Sequence, residues 1–246
     1  MPNAQVEFLK LDLSSFESIE AAVGEFLSKE TELHVLLNNA GCMALPAVQT
    51  KDGFDIQWGT NHMGHALLTK LLLPTLLRTA AATAATTGAV RIVNVSSEAH
   101  RTAVFGINLE DPAPARSNTW LRYGQSKLAN ILHAKALAKR YAAHGVIAVS
   151  CHPGVIHTDL YKPFVASLGT VATLLSFPLK YIFTSPHTGA HNQIAMCTSP
   201  TVTLNDSGAY YLPVLRKSEP SKHALGDALV DGLWEYTEAR LKEKGY

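Results

Sequence analysis

The chain has 246 residues, of which 47% are hydrophobic and 17% charged, and its formal net charge at neutral pH is +1. This length and composition favour one globular domain with a substantial core over two small domains. A net charge so close to zero provides no field for collecting nucleic acid or an anionic membrane surface, so we expect a small-molecule partner and no nucleic acid.

The first half of the chain alternates short apolar runs with helical patterns. Residues 6–11 are predicted to form a strand, and Ser14 is predicted to open a capping box at the start of an amphipathic helix. A second buried strand is predicted over residues 33–37, where Asn-Asn-Ala-Gly follows. The pattern over residues 54–78 predicts a long helix that bends near Pro74.

The second half continues the alternation. Its strands are predicted at residues 90–95, 146–151 and 209–212, and its helices at residues 119–143, 188–197 and 227–242. Strands that alternate with helices predict an α/β fold, a doubly wound parallel sheet in a single domain over residues 1–246.

An uncharged stretch interrupts this alternation. Residues 163–179 carry no charged side chain, but their Ser, Thr, Gly and Pro residues argue against a transmembrane segment. We predict an apolar substrate lid over residues 160–185, with an interfacial membrane anchor as the less favoured alternative. The N-terminus contains no apolar core of a signal peptide, which favours a cytoplasmic location.

The sequence contains no convincing metal site. Cys42, Cys151 and Cys197 are an odd number without metal-ligand spacing, which favours reduced, packed thiols. His62 and His65 lie three apart on a predicted helix, but no Cys, Asp or Glu completes a ligand set, so packing is the favoured interpretation.

Tyr123 and Lys127 form the most informative pair, because residues four apart lie on one face of a helix. An adjacent ammonium lowers the pKa of a phenol from near 10 towards the range of a general acid or base. Ser97 follows the predicted strand over residues 90–95, where its hydroxyl can bind a substrate oxygen that gains negative charge. The sequence around Ser97 lacks the glycines of a nucleophile elbow, which disfavours a hydrolase.

These residues belong to five ordered motifs that run through nearly the whole chain. The motifs are residues 36–41 (Leu-Leu-Asn-Asn-Ala-Gly), 60–65 (Thr-Asn-His-Met-Gly-His), 91–97 (Arg-Ile-Val-Asn-Val-Ser-Ser), 123–127 (Tyr-Gly-Gln-Ser-Lys) and 152–154 (His-Pro-Gly). On these motifs the chain resembles the short-chain dehydrogenase/reductase family, close to its retinol-dehydrogenase-like branch. The resemblance implies a Rossmann-like fold and an NAD(P)-dependent oxidoreductase that interconverts an alcohol and a carbonyl on an apolar small molecule.

The resemblance also implies a catalytic tetrad of Asn61, Ser97, Tyr123 and Lys127. Tyr123 would donate or accept the proton, Ser97 would orient the substrate oxygen, and Lys127 would also bind the nicotinamide ribose. Asn61 would bind a water that passes the proton towards Lys127. The alternative for Asn61 is an asparagine inside a helix that bonds nearby backbone.

Further contacts to the cofactor, NADP or NAD, follow from the same resemblance, which slightly prefers NADP. Besides Tyr123 and Lys127 they are Asp12 at the adenine, Asn39, Ala40 and Gly41 along the adenosine, Ile156 and Thr158 at the nicotinamide carboxamide, and Lys70. A solvated helix lysine is the favoured alternative for Lys70. The apolar positions of the helix predicted over residues 119–143 mostly indicate packing in the core. A homodimer formed through this helix is a weaker expectation.

The N-terminal part of the family pattern is not found before residue 6. The family opens with a strand and a Gly-rich turn whose backbone N–H groups hold the cofactor pyrophosphate. We therefore expect an N-terminally truncated sheet that begins at the family's third strand, with the strand over residues 33–37 at an exposed edge. A catalytically inactive homologue that acts as a structural or regulatory partner is accordingly the alternative to an enzyme.

Overall fold

A five-stranded sheet forms the centre of the protein, whose computed structural model describes residues 4–83, 90–154, 156 and 185–246. The strands are β1 (Val35–Asn38), β2 (Val90–Val95), β3 (Val146–Cys151), β4 (Tyr210–Leu212) and β5 (Arg216–Ser218). They lie side by side in that order, with the first four parallel and β5 antiparallel to β4. This arrangement confirms the predicted α/β class, although the sequence did not predict β5.

Helices precede, connect and follow the strands. They are α1 (Phe16–Lys29), α2 (Ile56–Trp58), α3 (Gly64–Ala82), α4 (Thr119–Tyr141), α5 (Pro186–Thr198) and α6 (Asp227–Glu243). A π-helical turn, Gly59–Met63, joins α2 to α3, and a 3-10 turn, Glu98–Thr102, follows β2. The predicted helices and strands from residue 90 onwards agree with these bounds within one or two residues.

Side chains alternate between the two faces of the sheet along each strand, and both faces of the central strands are covered and buried. Ile92 and Ala148 belong to the core beneath α1, α3, α4 and α6. Val93 and Val149 lie in the second core, together with Met196 of α5. Burial on both faces explains why β2 and β3 are almost continuously apolar in sequence, as doubly wound parallel sheets require.

The N-terminal prediction of a strand is wrong. Residues 6–11 form no strand, and Val6 and Phe8 are 89% and 86% exposed. A strand needs a neighbouring backbone to pair with, and within the described residues β1 pairs only with β2. Leu37 in β1 is 40% exposed, as expected for an edge strand.

Helix α1 begins one residue later than the capping pattern predicts. The hydroxyl of Ser14 donates to Asp12 Oδ1 at 2.6 Å, so Ser14 does not cap the helix. Ser15 is the N-cap instead, and the carboxylate of Asp52 accepts the backbone N–H of Phe16 at 3.0 Å.

The helix predicted over residues 54–78 consists of three parts. Asp55 caps α2 by accepting the backbone N–H groups of Gln57 and Trp58, and the π-helical turn follows before α3 begins. Pro74 lies inside α3, which continues past it to Ala82. The interruption therefore falls at the π-helical turn, which carries Asn61.

Several other predictions concern packing. His62 is buried, its Nε2 lies 2.9 Å from Thr237 Oγ1 and its ring packs against Trp58, which agrees with a packed histidine. The apolar residues of α4, including Leu128, are buried in the core of the single chain, so the homodimer stays a prediction. In the described part of the chain, no helix is long and apolar enough to cross a membrane. The predicted lid over 160–185 lies outside the described residues except for Ser185.

We expect Gly64→Ala to destabilise the protein, because the added Cβ would overlap the backbone oxygen of Leu13. Separating α3 from residue 13 should lower the free energy of unfolding by about 1–3 kcal/mol. Gly24→Ala is the matched control: nothing lies within 4 Å of its Cβ, and alanine inside α1 should stabilise by about 0.5–1 kcal/mol. Urea unfolding measures both variants, and an unchanged free energy for Gly64→Ala would contradict this packing.

Candidate functional site

A cleft of about 590 Å³ opens where β1, β2 and β3 end. Strand pairing aligns Asn38, Asn94 and Ser150, so the segments that follow the three strands meet at one edge of the sheet. The cleft is lined by Asn39, Ala40, Gly41, Cys42, Met43, Leu45, Val95, Ser96, Ser97, Tyr123, Lys127, His152, Pro153, Gly154, Ile156 and Gln193.

Helix α4 is fixed to the end of β2 by hydrogen bonds in both directions. Lys127 Nζ donates to the backbone oxygen of Val95 at 3.1 Å, and Asn130 Nδ2 donates to the same oxygen at 3.0 Å. In return, the hydroxyl of Ser96 donates to the backbone oxygen of Lys127 at 2.7 Å. Tyr123 lies one helical turn before Lys127 and therefore reaches the same cleft.

Lys127 is a buried cation beside the aromatic ring of Tyr123. Its residue is 4% exposed, and Nζ lies 5.8 Å from the centroid of that ring. Burial lowers the pKa of Lys127 to about 8, because the charged form loses hydration. The ammonium is therefore mostly charged at neutral pH.

Asn61 bridges the segment after β1 to helix α4. Its Oδ1 accepts the backbone N–H of Cys42 at 2.8 Å, and its Nδ2 donates to the backbone oxygen of Cys42 and the hydroxyl of Ser126, both at 2.9 Å. Two of these three bonds go to the backbone of Cys42, 19 residues away in sequence, and the third goes to a side chain of α4. A Cβ on Gly41 would lie 2.8 Å from Asn61 Oδ1 and 3.3 Å from Lys127 Nζ, which explains the glycine.

Ser97 caps the 3-10 turn after β2. Its Oγ accepts the backbone N–H of Ala99 at 3.1 Å, and within the described residues the hydroxyl donates to no acceptor. The hydroxyl hydrogen can therefore be offered to a ligand. A Cβ on Gly124 would lie 2.6 Å from the backbone oxygen of Ala99, so the glycine lets α4 approach this turn.

His152 adds a neutral polar group that the sequence did not single out for a role. It follows β3, it is 9% exposed, and its Nδ1 has no hydrogen-bond partner within the described residues. Burial lowers its pKa to about 4, so the imidazole is neutral at pH 7. Gln193 of α5 also lines the cleft. The His-Pro-Gly break in the sequence could have identified His152, whereas no local sequence pattern marks Gln193.

Some of the predicted cofactor residues line the cleft and others do not. Asn39, Ala40, Gly41 and Ile156 line the cleft together with Ser97, Tyr123 and Lys127 of the predicted tetrad. Thr158 lies outside the described residues.

Asp12 and Lys70 do not line this cleft. The carboxylate of Asp12 is exposed and accepts the N–H and hydroxyl of Ser14 before α1. Lys70 Nζ lies 2.6 Å from the Glu238 carboxylate of α6, beside a separate small cavity. Their positions do not support the cofactor contacts predicted for them, because local hydrogen bonding and an ion pair hold both side chains elsewhere.

We expect the burial of Lys127 to appear in the pH dependence of stability. Its pKa is about 8 in the folded chain and 10.5 as the ordinary value, so the unfolded chain binds more protons between these pH values. The free energy of unfolding should therefore rise with pH across this window, by up to about 3 kcal/mol relative to Lys127→Met. Urea unfolding from pH 7 to 10.5 measures the difference, and parallel profiles of wild type and variant would contradict a desolvated ammonium.

Comparisons with known proteins agree with the motifs. The family model described as short chain dehydrogenase matches residues 1–168. The short-chain dehydrogenase/reductase drtF of Aspergillus calidoustus is 41% identical over 251 residues, which cover 99% of this chain and 79% of the relative. Retinol dehydrogenase 14 of Homo sapiens is 36% identical over 234 residues, which cover 94% of this chain and 66% of the relative.

The fold has a matching relative among solved structures. A crystal structure of an uncharacterized protein from Mycobacterium Paratuberculosis superposes with a TM-score of 0.63 at 31% identity, covering 97% of this chain and 76% of that chain. The family match spans all five motifs, and the cleft lies where such a fold binds its ligands. The chain therefore belongs to the short-chain dehydrogenase/reductase family and is an NAD(P)-dependent oxidoreductase with a Rossmann-like fold.

Proposed function

We propose that this enzyme interconverts an alcohol and a carbonyl on an apolar small molecule, with Tyr123 as the general acid or base. The observation that carries the proposal is the convergence of Ser97, Tyr123 and the buried cation of Lys127 on one cleft. A hydroxyl donor, a phenol and an ammonium together can stabilise an oxygen that alternates between carbonyl and alkoxide.

The cleft fits a nicotinamide dinucleotide in its chemistry. Gly41 leaves the backbone open beside Asn61 and Lys127, where a Cβ would crowd both side chains. Lys127 offers a positive charge to ribose hydroxyls, and Ile156 lies beyond the turn at Gly154. When bound, the cofactor supplies or accepts the hydride. We propose NADP over NAD on the family resemblance.

The chain's own residues would handle the proton. Ser97 would donate its hydroxyl hydrogen to the substrate oxygen and hold that oxygen beside Tyr123. Tyr123 would give its phenolic proton to the oxygen during reduction and take it back during oxidation. Lys127 would favour the phenolate through its charge, at a distance of 5.8 Å between Nζ and the ring centroid.

Asn61 would keep the proton donor aligned. Its amide connects the backbone of Cys42 to Ser126, which lies between Tyr123 and Lys127 in α4. The hydroxyl of Ser126 in turn donates to the backbone oxygen of Tyr123 at 2.8 Å. Through these bonds Asn61 would fix the distance between the segment after β1 and the tetrad residues of α4.

The apolar part of the lining supports a lipophilic substrate. Met43, Leu45, Val95 and Ile156 line the cleft together with the polar residues. One relative is named as a retinol dehydrogenase, and retinol is an apolar alcohol. Apolar aldehydes and ketones are therefore the substrates to test first.

We expect Tyr123→Phe to abolish turnover while preserving cofactor binding, because it removes only the phenolic oxygen. The full chain would be assayed with NADPH and NADH against a panel of apolar aldehydes and ketones. Turnover should fall by at least about 1000-fold, the scale of lost acid–base catalysis. Thermal stabilisation by NADPH should persist.

Tyr141→Phe is the matched control, since Tyr141 lies at the other end of α4, beside Trp234 and outside the cleft. It should retain wild-type turnover. Cofactor-induced stabilisation without turnover of any carbonyl would contradict the proposed reaction. The absence of both would favour the inactive structural or regulatory homologue.

A further inference from the structure

One buried histidine joins the Ser97 turn to the C-terminal part of the chain. His100 lies in the 3-10 turn and is completely buried. Its Nδ1 lies 2.6 Å from the backbone oxygen of Ser97, and its Nε2 lies 2.9 Å from the backbone nitrogen of Ser221. The ring therefore spans two segments that are about 120 residues apart in sequence.

The two partners determine which ring nitrogen carries the hydrogen. The backbone N–H of Ser221 can only donate, so Nε2 must accept. The backbone oxygen of Ser97 can only accept, so Nδ1 must carry the hydrogen and donate it. A neutral imidazole in this one tautomer satisfies both bonds, whereas a second hydrogen on Nε2 would point at another N–H. Burial lowers the pKa of His100, which agrees with a neutral ring.

Two further bonds attach the same C-terminal segment, residues 219–223, which we term the strap. Arg101 Nη2 donates to the backbone oxygen of Glu219 at 3.0 Å. His223 Nε2 lies 2.8 Å from the backbone oxygen of Val104. The strap follows β5 and leads into α6, so it connects the far edge of the sheet to the turn that carries Ser97.

The surroundings of His100 leave its ring little freedom to rotate. The ring of Tyr210 in β4 meets it edge to face, with centroids 5.2 Å apart. The hydroxyl of Tyr210 donates to Glu98 Oε1 at 2.8 Å, and Glu98 also pairs with Arg101 at 2.9 Å. The charged groups around the ring are thus already paired with each other, and His100 uses its nitrogens for Ser97 and Ser221 alone.

We propose that His100 is a positioning residue for Ser97, whose backbone oxygen it holds through Nδ1, and that it separately couples the Ser97 turn to the strap through Nε2. The role in turnover rests on the function proposed above; the coupling itself does not. Ser97 is restrained on both sides of its Cα: its hydroxyl oxygen accepts the N–H of Ala99, and its backbone oxygen accepts both the N–H and the ring of His100. Loss of the ring bond would let the peptide after Ser97 rotate and carry the hydroxyl away from the substrate oxygen.

Two conservative substitutions separate the two bonds. In His100→Asn the amide nitrogen occupies the position of Nδ1 and keeps the bond to Ser97, but the side chain does not reach Ser221. In His100→Gln the longer side chain offers its oxygen to Ser221 and loses the bond to Ser97. We expect His100→Asn to keep kcat within about three-fold of wild type and His100→Gln to lower it by about ten-fold or more, with little change in KM for either.

The control is His223→Ala, which removes a strap bond without touching Ser97. We expect it to leave kcat within about two-fold of wild type. A role of His100 in folding alone would make kcat follow thermal stability across the variants. Equal kcat for His100→Asn and His100→Gln, or a larger loss in His100→Asn, would overturn the positioning role.

Hydrogen exchange of the full-length protein, followed by mass spectrometry, tests the coupling without any turnover. His100→Asn should accelerate exchange in the peptide that contains Ser221, and His100→Gln should accelerate it at Ala99 and residue 100. If the wild type proved inactive with every carbonyl, the proposed function would fail, and this exchange pattern would still decide the coupling. Identical exchange in all variants would overturn it.

Discussion

The hydrogen bonds between the end of β2 and helix α4 fix the geometry on which the cleft depends. Val95 offers one backbone oxygen to two donors, Lys127 Nζ and Asn130 Nδ2, while Ser96 donates back to the helix and Asn94 Nδ2 donates to the backbone oxygen of residue 130 at 3.2 Å. Because all these groups are buried, shifting α4 along β2 by one residue would leave several of them unpaired, at about 1–3 kcal/mol each. The register of the helix on the strand is therefore strongly determined, and it brings Tyr123 to the same edge of the sheet as Ser97.

Two glycines allow the backbone to come close enough for these contacts. At Gly41 the missing side chain leaves room for the amide of Asn61 and the ammonium of Lys127, and at Gly124 it lets α4 pass beside the backbone oxygen of Ala99. An alanine at Gly41 would push the segment after β1 away from Asn61 and Lys127, and an alanine at Gly124 would push α4 away from the turn that follows Ser97. The glycines thus shape the site by allowing neighbouring segments to approach each other closely. Asn61 shapes it by three hydrogen bonds that link the segment after β1 to α4.

The sequence predicted those helices and strands whose characteristic pattern lies within the element itself. Strands β2 and β3 could be predicted because both faces of each are buried, which makes most of their residues apolar, although Arg91 and Asn94 interrupt β2. Residues 6–11 carry the same kind of run without forming a strand, since pairing depends on a neighbour and not on the segment alone. The π-helical turn at Asn61 has no periodic signature, and the hydrogen bond between His100 and Ser221 joins segments that lie far apart in the chain. Such non-local bonds explain why local motifs could predict a tetrad but not the groups that hold its side chains in place.

The electrostatics of the cleft follow from which charges are buried and which are neutral. None of the described lining residues is an aspartate or glutamate, so Lys127 has no carboxylate beside it in the cleft. Burial raises the pKa of the Cys42 thiol to about 11 and lowers that of His152 to about 4, so neither neighbour is ionised at neutral pH. Among the described lining residues Lys127 therefore carries the only charge. Its neutral neighbours give a medium of low polarity, where that charge favours a ligand that carries or develops negative charge. In the proposed interconversion of alcohol and carbonyl, an alkoxide beside Ser97 and a phenolate at Tyr123 would be the two anions. The buried ammonium of Lys127, 5.8 Å from the centroid of the Tyr123 ring, would stabilise negative charge in this cleft.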